Sequence, residues 1–153
     1  QTSDGGVVVC GSSGPGLDDA YIVRADAAGT LVWSSTVDLG AGEMAMAVLP
    51  ADSKIDFHLL RETAGANTIS LALEEDFAAL FPDCEMGAMP PFGNLYAMQV
   101  FVAGSLIRAE TIAFNAGTHT EVVTMPFWEF ERLVEPRIGY FTFRRLQEKK
   151  SMA

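Results

Sequence analysis

The loop GAMPPFGN, residues 87–94, combines residue types that could hold a substrate through the backbone. Each proline fixes its φ angle and lacks an N–H, so the Pro90–Pro91 pair is stiff and extended. Gly87 and Gly93 permit a close backbone approach that a side chain would block. Such a loop could present amides to a carbonyl or an oxyanion with little reorganisation. These eight residues alone, however, are better explained as a stiff connector.

A second segment, FNAGTHT at residues 114–120, groups several polar side chains in a turn between two predicted strands. Asn115, Gly117, Thr118 and His119 supply an amide, a flexible backbone position, a hydroxyl and an imidazole. The imidazole could bind a carboxylate or a carbonyl of a ligand. A single histidine near a turn is more often structural or exposed, so the spacing by itself does not establish a site.

Other chemistry-bearing residues form weaker patterns. Cys84 is interpreted as an inert thiol, and Asp83 and Glu85 beside it as a solvated acidic turn. His58 is expected to face solvent from a helix. No spacing of cysteines, histidines and carboxylates predicts a metal site, and no phosphate or dinucleotide motif is present. We therefore expect no metal and no cofactor.

The composition is that of an ordinary globular domain with an acidic surface. The chain has 153 residues, 49% hydrophobic and 20% charged, which suits one compact core. Its longest apolar runs fall far short of the ~20 residues that span a bilayer, so no membrane partner is expected. The net charge of −10 argues against DNA and against a broad RNA surface, leaving only a local contact at one strand end. Two cysteines form no disulfide framework, which favours the cytoplasm.

The chain divides into three segments. Residues 1–40 alternate β-rich runs with turn clusters, resemble a single blade of bacterial β-propeller repeats, and are not expected to form an independent domain. Within them, AYIVRAD and TLVWSSTV flank a DAAGT turn, which predicts a hairpin. Residues 41–143 are predicted to form one domain, and residues 144–153 a charged tail.

Strands and short helices alternate in residues 41–143. Apolar and alternating runs predict strands at 44–50, 68–73, 95–104, 111–115, 120–125 and 138–143. Helical spacing and end signals predict helices at 54–65, 74–82 and 126–136. Because strands dominate and helices are short, we predict an α+β fold: a mixed β-sheet with short flanking helices, preceded by a β-rich N-terminal segment.

Three stretches of this region carry a resemblance to a known family. MAMAVLPADSKIDFHLLRETAGA, TISLALEEDFAALFPDCEMGAMPPFGNLYAMQVFV and IAFNAGTHTEVVTMPFWEFERLV are similar to the YbaK/prolyl-tRNA-synthetase-associated editing-domain family over about residues 43–143. The family's Gly-x-x-x-Pro signature matches Gly87 to Pro91, followed by FGN. Its histidine motif matches Phe114 to His119. The resemblance implies a mixed sheet with flanking helices and an aminoacyl pocket.

The resemblance also implies a function, aminoacyl-tRNA deacylation, which hydrolyses the ester between a wrong amino acid and the 3′ end of a tRNA. The implied catalytic residues are Gly87 and Pro91, whose loop would hold the carbonyl end and position water, and His119, which would orient the aminoacyl group. The implied substrate-binding residues are Ala88, Met89, Pro90, Phe92, Gly93, Asn94, Asn115, Gly117 and Thr118. The implied partners are the 3′ aminoacyl end of tRNA and an aminoacyl-tRNA synthetase, and the chemistry needs no metal.

One position departs from the family pattern. Members carry a lysine on the strand before MAMAVLP, and counting back without gaps from Met44 places this position at Ser34. The only basic residue before Lys54 is Arg24. Without the lysine, the phosphate or carbonyl of the substrate loses a charged partner. We therefore expect weakened or absent deacylation.

Two alternatives to a deacylase stay open. The missing lysine leaves a catalytically inactive module that binds a small ligand or an aminoacyl group. The family's N-terminal helices are replaced by propeller-like sequence, so that the editing domain is N-terminally truncated, which leaves a non-functional chimeric fragment. The sheet itself could still be complete. We predict that residues 34–39 form a strand that pairs with residues 44–49 around the turn at residues 40–42.

Overall fold

The computed structural model of the protein describes residues 9–11, 20–22, 30–40, 42–85 and 88–144. Its strands are β1 (Val9–Gly11), β2 (Ala20–Ile22), β3 (Thr30–Asp38), β4 (Met44–Pro50), β5 (Ser53–Ile55), β6 (Ser70–Leu71), β7 (Gln99–Ala103), β8 (Thr111–Asn115), β9 (Val122–Pro126), β10 (Arg137–Gly139) and β11 (Thr142–Arg144). Its helices are α1 (Phe57–Ala64), α2 (Glu74–Phe77) and α3 (Phe127–Val134), with 3-10 helices at Ala78–Leu80, Gly93–Tyr96 and Gly104–Arg108.

The main sheet has seven strands in the order β10-β7-β4-β3-β8-β9, and β6 pairs with β3 beside that path. The pairs β10/β7, β7/β4 and β3/β8 are parallel, whereas β3/β4, β8/β9 and β3/β6 are antiparallel. A second, two-stranded sheet pairs β5 with β11. The predicted α+β fold, a mixed sheet with short flanking helices, is therefore confirmed.

Strand β3 occupies a central place in this sheet. It pairs with β4 over residues 32–38, and Val37 is fully buried, so the predicted pairing of this segment with the MAMAVLP strand is confirmed. The connecting turn uses Gly40 and Gly42, whose φ angles of +91° and +78° favour glycine. The Gly40 N–H donates to Asp38 Oδ1 at 2.7 Å, which closes the turn.

On the edge that does not pair with β4, strand β3 has two different partners. Thr30 and Leu31 pair with β8, whereas Val37 and Asp38 pair with β6. Among the described residues, 32–35 have no strand partner on this edge. The sheet therefore opens at this place, next to the loop that the sequence predicts as functional.

Apolar side chains cover both faces of the sheet, because successive residues of a strand point to opposite sides. One face packs against α3 and against the loop after residue 87; its buried residues include Val32, Met46, Val48, Met89, Val100, Val102, Ile112, Phe127 and Phe130. The other face packs against α1; its buried residues are Val37, Ala45, Ala47, Leu49, Leu60, Phe101, Ala103 and Phe141. Burial on both faces explains why β4 reads as a continuous apolar run.

Helix α1 begins later than predicted. Residues 53–55 pair with β11, and the helix starts after Asp56, whose Oδ1 accepts from Leu59 N at 3.1 Å. It ends as predicted at Gly65, which has a φ of +67°. The predicted strand at residues 138–143 is divided between β10 and β11, because these two segments join different sheets.

The N-terminal segment contributes to two sheets. Strands β1 and β2 pair with each other, whereas β3 lies in the seven-stranded sheet, so β3 is not part of a propeller blade. The predicted hairpin, which would pair β2 with β3, is therefore wrong for the described residues of these strands. The turn of the predicted hairpin falls on residues 23–29, and Arg24 with it, outside the described residues, as do residues 145–153 of the predicted tail. None of the helices in the described ranges has the length and apolar character required to cross a membrane.

Candidate active site at the split edge of strand β3

Residues 88–94, called the site loop from here on, are held by burial. Gly87, predicted to begin this motif, lies outside the described residues. Ala88, Met89, Pro91 and Gly93 are buried, and Pro90 is half-buried. The loop therefore forms part of the core on one face of the sheet.

An aromatic contact anchors the site loop. The Phe92 ring packs edge-on against Phe114 of β8 and Phe130 of α3, with centroid distances of 5.6 and 5.5 Å. Pairs of this geometry contribute about 0.5–1.5 kcal/mol beyond their buried area. Asn94 donates from Nδ2 to the Leu133 carbonyl at 3.3 Å and so ties the end of the loop to α3. The Phe92 and Asn94 side chains therefore attach the site loop to β8 and α3.

Gly93 shows why a glycine follows the aromatic residue. A Cβ at this position would lie 2.8 Å from Val100 Cγ2 and 3.2 Å from Met46 Cβ. Both atoms belong to the floor of the sheet, so the backbone can approach it this closely only without a side chain. The glycine signal in GAMPPFGN thus reflects a close approach, as its sequence suggested.

Residues 115–121, called the site turn, connect β8 to β9 and are held mainly by polar contacts. The Ala116 N–H donates to the Glu121 carbonyl at 3.0 Å, and Thr118 Oγ1 donates to Glu121 Oε2 at 3.3 Å. Gly117 is buried and adopts a φ of +92°, which favours glycine. Asn115, Thr118 and His119 are half-buried around it.

The site loop and the site turn meet through backbone hydrogen bonds. Gly117 N–H donates to the Ala88 carbonyl at 2.9 Å, and Glu85 N–H donates to the Gly117 carbonyl at 2.7 Å. The Glu85 carboxylate also accepts from the His119 N–H at 2.9 Å. The structure thereby brings together the two motifs that the sequence singled out, although 20 residues lie between the site loop and the site turn.

Strand β3 is the third element at this site, because it contacts the site loop. Ser34 is half-buried, and its hydroxyl donates to the Met89 carbonyl of the site loop at 2.7 Å. Ser34 is the position at which the family pattern predicts a lysine. Two residues along, on the same face of β3, Thr36 Oγ1 is buried and has no hydrogen-bond partner within the described part of the chain.

A thiol and a phenol lie behind the site turn. Cys84 Sγ is 3.5 Å from Tyr96 Oη, and the Tyr96 ring packs on Phe81 at 4.4 Å between centroids. The hydrogen bond with Cys84, followed by burial and the nearby Cys84 and Asp83 charges, raises the pKa of Tyr96 to about 12. The phenol is therefore a neutral group at ordinary pH.

Sequence reasoning missed the role of Glu85. It interpreted this residue as part of a solvated acidic turn, whereas its backbone N–H, carbonyl and carboxylate bond Gly117, Ala88 and His119 respectively. A signal was present, because Glu85 stands just before the proline-rich loop, but the partner lies 34 residues away. His58 is exposed on α1 as expected, 3.4 Å from Glu62. Within the described ranges, no group of three or more His, Cys, Asp or Glu could hold a metal ion.

Solved structures with this fold are known. The hypothetical protein APE2540 superposes with a TM-score of 0.68 at 17% identity, covering 77% of each chain. A candidate trans-editing enzyme for prolyl tRNA synthetase gives a TM-score of 0.67 at 15% identity, covering 77% of this chain and 73% of that one. A candidate signal transduction protein from Marinobacter aquaeolei VT8 gives 0.65 at 15% identity, covering 91% of this chain and 28% of that one. At these identities the likeness shows the fold.

Sequence comparison identifies the family. The search of curated proteins found no match. The family model described as the aminoacyl-tRNA editing domain matches residues 25–133, which include β3, the site loop and the site turn. The match confirms the family predicted from the motifs, and with it aminoacyl-tRNA deacylation as the function of that family. Its start at residue 25 places β3 inside the matched region. This chain belongs to the aminoacyl-tRNA editing domain family.

Proposed function

We propose that this domain hydrolyses the ester between a wrongly attached amino acid and the 3′ end of its tRNA, at the place where the site loop meets the site turn. The observation that carries the proposal is the 2.9 Å hydrogen bond from Gly117 N–H to the Ala88 carbonyl. It joins the two segments that bear the candidate residues. The aminoacyl pocket would be lined by Ala88 to Pro91 and by Asn115 to His119. Gly87 would be the first residue of the loop motif.

The proposed reaction is a simple ester hydrolysis. Water attacks the carbonyl carbon of the aminoacyl group, the bond from that carbon to the ribose oxygen breaks, and the ribose oxygen takes a proton. The free amino acid leaves with the hydroxyl from water. Backbone amides are suited to stabilise the oxyanion that forms, because they are already oriented. The Met89 N–H donates to no backbone carbonyl among the described residues and is our candidate donor.

The remaining site residues have supporting roles in this proposal. His119 would orient the aminoacyl group by hydrogen bonding, with its backbone fixed by Glu85. Phe92, Gly93 and Asn94 would act indirectly, because they hold the loop against the sheet and α3. The reaction as proposed uses no metal and no cofactor.

The partner would be bound locally. Because the chain carries a net charge of −10, a long phosphate-binding surface is disfavoured, and only the 3′ aminoacyl adenosine needs to enter. We place the reaction in the cytoplasm, where tRNA is charged, and propose an aminoacyl-tRNA synthetase as the protein that works beside this domain.

A deacylation assay tests the proposal. The full chain is incubated with a panel of tRNAs that carry wrong amino acids, and the release of each amino acid is followed. We expect hydrolysis of at least one substrate and a loss of about ten-fold or more in kcat/KM for His119→Ala. The control is His58→Ala, since His58 is the other histidine and is exposed on α1. Absence of hydrolysis across the panel would refute the proposal, as would full activity of His119→Ala.

A second candidate function rests on Ser34. Its hydroxyl is engaged with the Met89 carbonyl at the position where the family pattern has a lysine. This observation favours a module that binds aminoacyl groups without hydrolysing them. A stable 3′-aminoacyl-adenosine analogue separates the two functions: binding of the analogue with no turnover of the matching ester supports the binding module, and turnover excludes it.

A further inference from the structure

Ser34 and Met89 are joined by a hydrogen bond that the proposed reaction does not explain. The two residues lie 55 positions apart, and the Ser34 hydroxyl donates to the Met89 carbonyl at 2.7 Å in a half-buried setting. A distance of 2.7 Å is ideal for a hydroxyl donor. The contact links the central strand directly to the loop that carries the candidate oxyanion donor.

The strand end of this contact is rigid. Ser34 pairs with Val48 in the middle of a continuous register between β3 and β4. Strand β4 is paired in turn with β7, and its residues 45–49 are buried. The position of the Ser34 side chain is therefore set by the core of the sheet and does not depend on the loop.

The loop end has two carbonyls fixed by different elements. The Ala88 carbonyl accepts from the Gly117 N–H, and the next carbonyl, of Met89, accepts from Ser34. Met89 precedes Pro90, which restricts its backbone to extended conformations and leaves it without a following N–H. The peptide unit that bears the Met89 N–H contains the Ala88 carbonyl, which Gly117 fixes, and Ser34 fixes the carbonyl of the next peptide unit. The two hydrogen bonds therefore hold the peptide units on both sides of the Met89 Cα.

We propose that Ser34 is a positioning residue for the reaction, which sets the orientation of the Met89 peptide through a neutral hydrogen bond from the sheet. The proposal rests on the deacylase function proposed above and adds a residue to it. A hydroxyl group on this face of β3 does not by itself form a hydrogen bond to the site loop. Thr36 lies two residues along on the same face, and its Oγ1 has no hydrogen-bond partner in the described part of the chain.

Kinetics of Ser34 variants test the positioning role. Ser34→Ala should lower kcat for deacylation about 10- to 100-fold, because a misplaced donor costs mainly the chemical step, and it should change KM less than about three-fold. Ser34→Thr keeps the hydroxyl and should recover most of the kcat. The matched control is Ser35→Ala, one residue along on the opposite face of the same strand, which should behave as the unchanged protein.

Amide hydrogen exchange tests the same role without any activity. In Ser34→Ala we expect faster exchange at the amides of Ala88 and Gly117, whose hydrogen bonds hold the site loop to its neighbours, by about ten-fold, with exchange in β4 and β7 unchanged. Ser34→Thr should restore the protection. If the unchanged protein does not deacylate any substrate, the proposed function fails, yet the exchange data still decide the role of Ser34. Unchanged exchange in Ser34→Ala, or an unchanged kcat in an active protein, would overturn the positioning role.

Discussion

The site loop and the site turn carry the candidate residues of the proposed aminoacyl pocket, but they are held in different ways. The site loop is anchored by apolar packing, with the half-buried Phe92 between two aromatic rings and the buried Gly93 against the floor of the sheet. The site turn is anchored by polar contacts near the surface, among them the exposed Glu85 carboxylate. Burial of apolar side chains contributes strongly to the free energy of unfolding, whereas exposed polar contacts contribute little to it.

Because of this difference, substitutions in the two segments should affect stability and activity to different degrees. A substitution that removes a buried anchor of the site loop should lower the free energy of unfolding, since the loop is part of the core. A substitution in the polar contacts of the site turn should lower activity more than stability. Variants of the two segments can therefore confirm or refute the contrast.

The largest effect is expected for Phe92→Ala. Loss of this half-buried ring removes its contacts with Phe114 and Phe130, and we expect the free energy of unfolding to fall by about 2 kcal/mol, below the cost for a fully buried phenylalanine. Denaturant unfolding measures the change. The control is Leu95→Ala in the adjoining 3-10 helix, where a side chain that is 73% exposed should contribute less than about 0.5 kcal/mol. Equal effects of the two variants would contradict burial as the anchor.

A smaller effect is expected for Gly117→Ala in the site turn. A residue with a Cβ is strained at the φ of +92°, and the cost should be about 1–2 kcal/mol of unfolding free energy. Ala97→Gly is a control of opposite sign, since Ala97 already has a φ of +55° and glycine relieves the strain there. Thermal unfolding compares them. A Gly117→Ala protein as stable as the unchanged chain would show that the turn relaxes.

Glu85→Ala should affect activity more than stability. It removes the acceptor of the His119 N–H, and because the carboxylate is exposed, the unfolding free energy should fall by no more than about 1 kcal/mol. The backbone of His119 then loses its hydrogen bond while the other contacts of the turn remain, and deacylation should drop about ten-fold because His119 is less well positioned. Glu85→Gln retains a carbonyl acceptor and should recover part of the rate. A loss of stability as large as in Phe92→Ala would remove the contrast between the two segments.

The smallest effect concerns Tyr96 and appears only at high pH. Its pKa is raised from 10.0 to about 12, chiefly by the hydrogen bond with Cys84. Because the unfolded chain releases the phenol proton first, the stability contribution is complete below pH 10 and is lost as the pH rises toward 12. Tyr96→Phe should weaken this alkaline loss, measured as unfolding free energy against pH. If the unfolding free energy of Tyr96→Phe and of the unchanged protein depended on pH in the same way, the raised pKa of Tyr96 would be contradicted.

The sequence predicted much of the sheet well, because individual strands and helix ends depend on local signals. The apolar runs of β4 and β8 and the glycine that ends α1 are each visible in a few consecutive residues. What the sequence did not predict depends on partners distant in the chain. The assignment of β5 and β11 to their own sheet and the contacts of Glu85 require knowledge of which segments meet. The bond of Ser34 to Met89 is of the same kind.

A ligand titration tests most directly the central claim that site loop and site turn form one substrate pocket. The amides of the protein are followed by NMR while a stable 3′-aminoacyl-adenosine analogue is added. We expect concerted shifts in Ala88, Met89, Thr118 and His119 with one dissociation constant. Shifts confined to one segment, or centred on the groove beside α1 that Phe57, Arg61 and Thr68 line, would contradict the account.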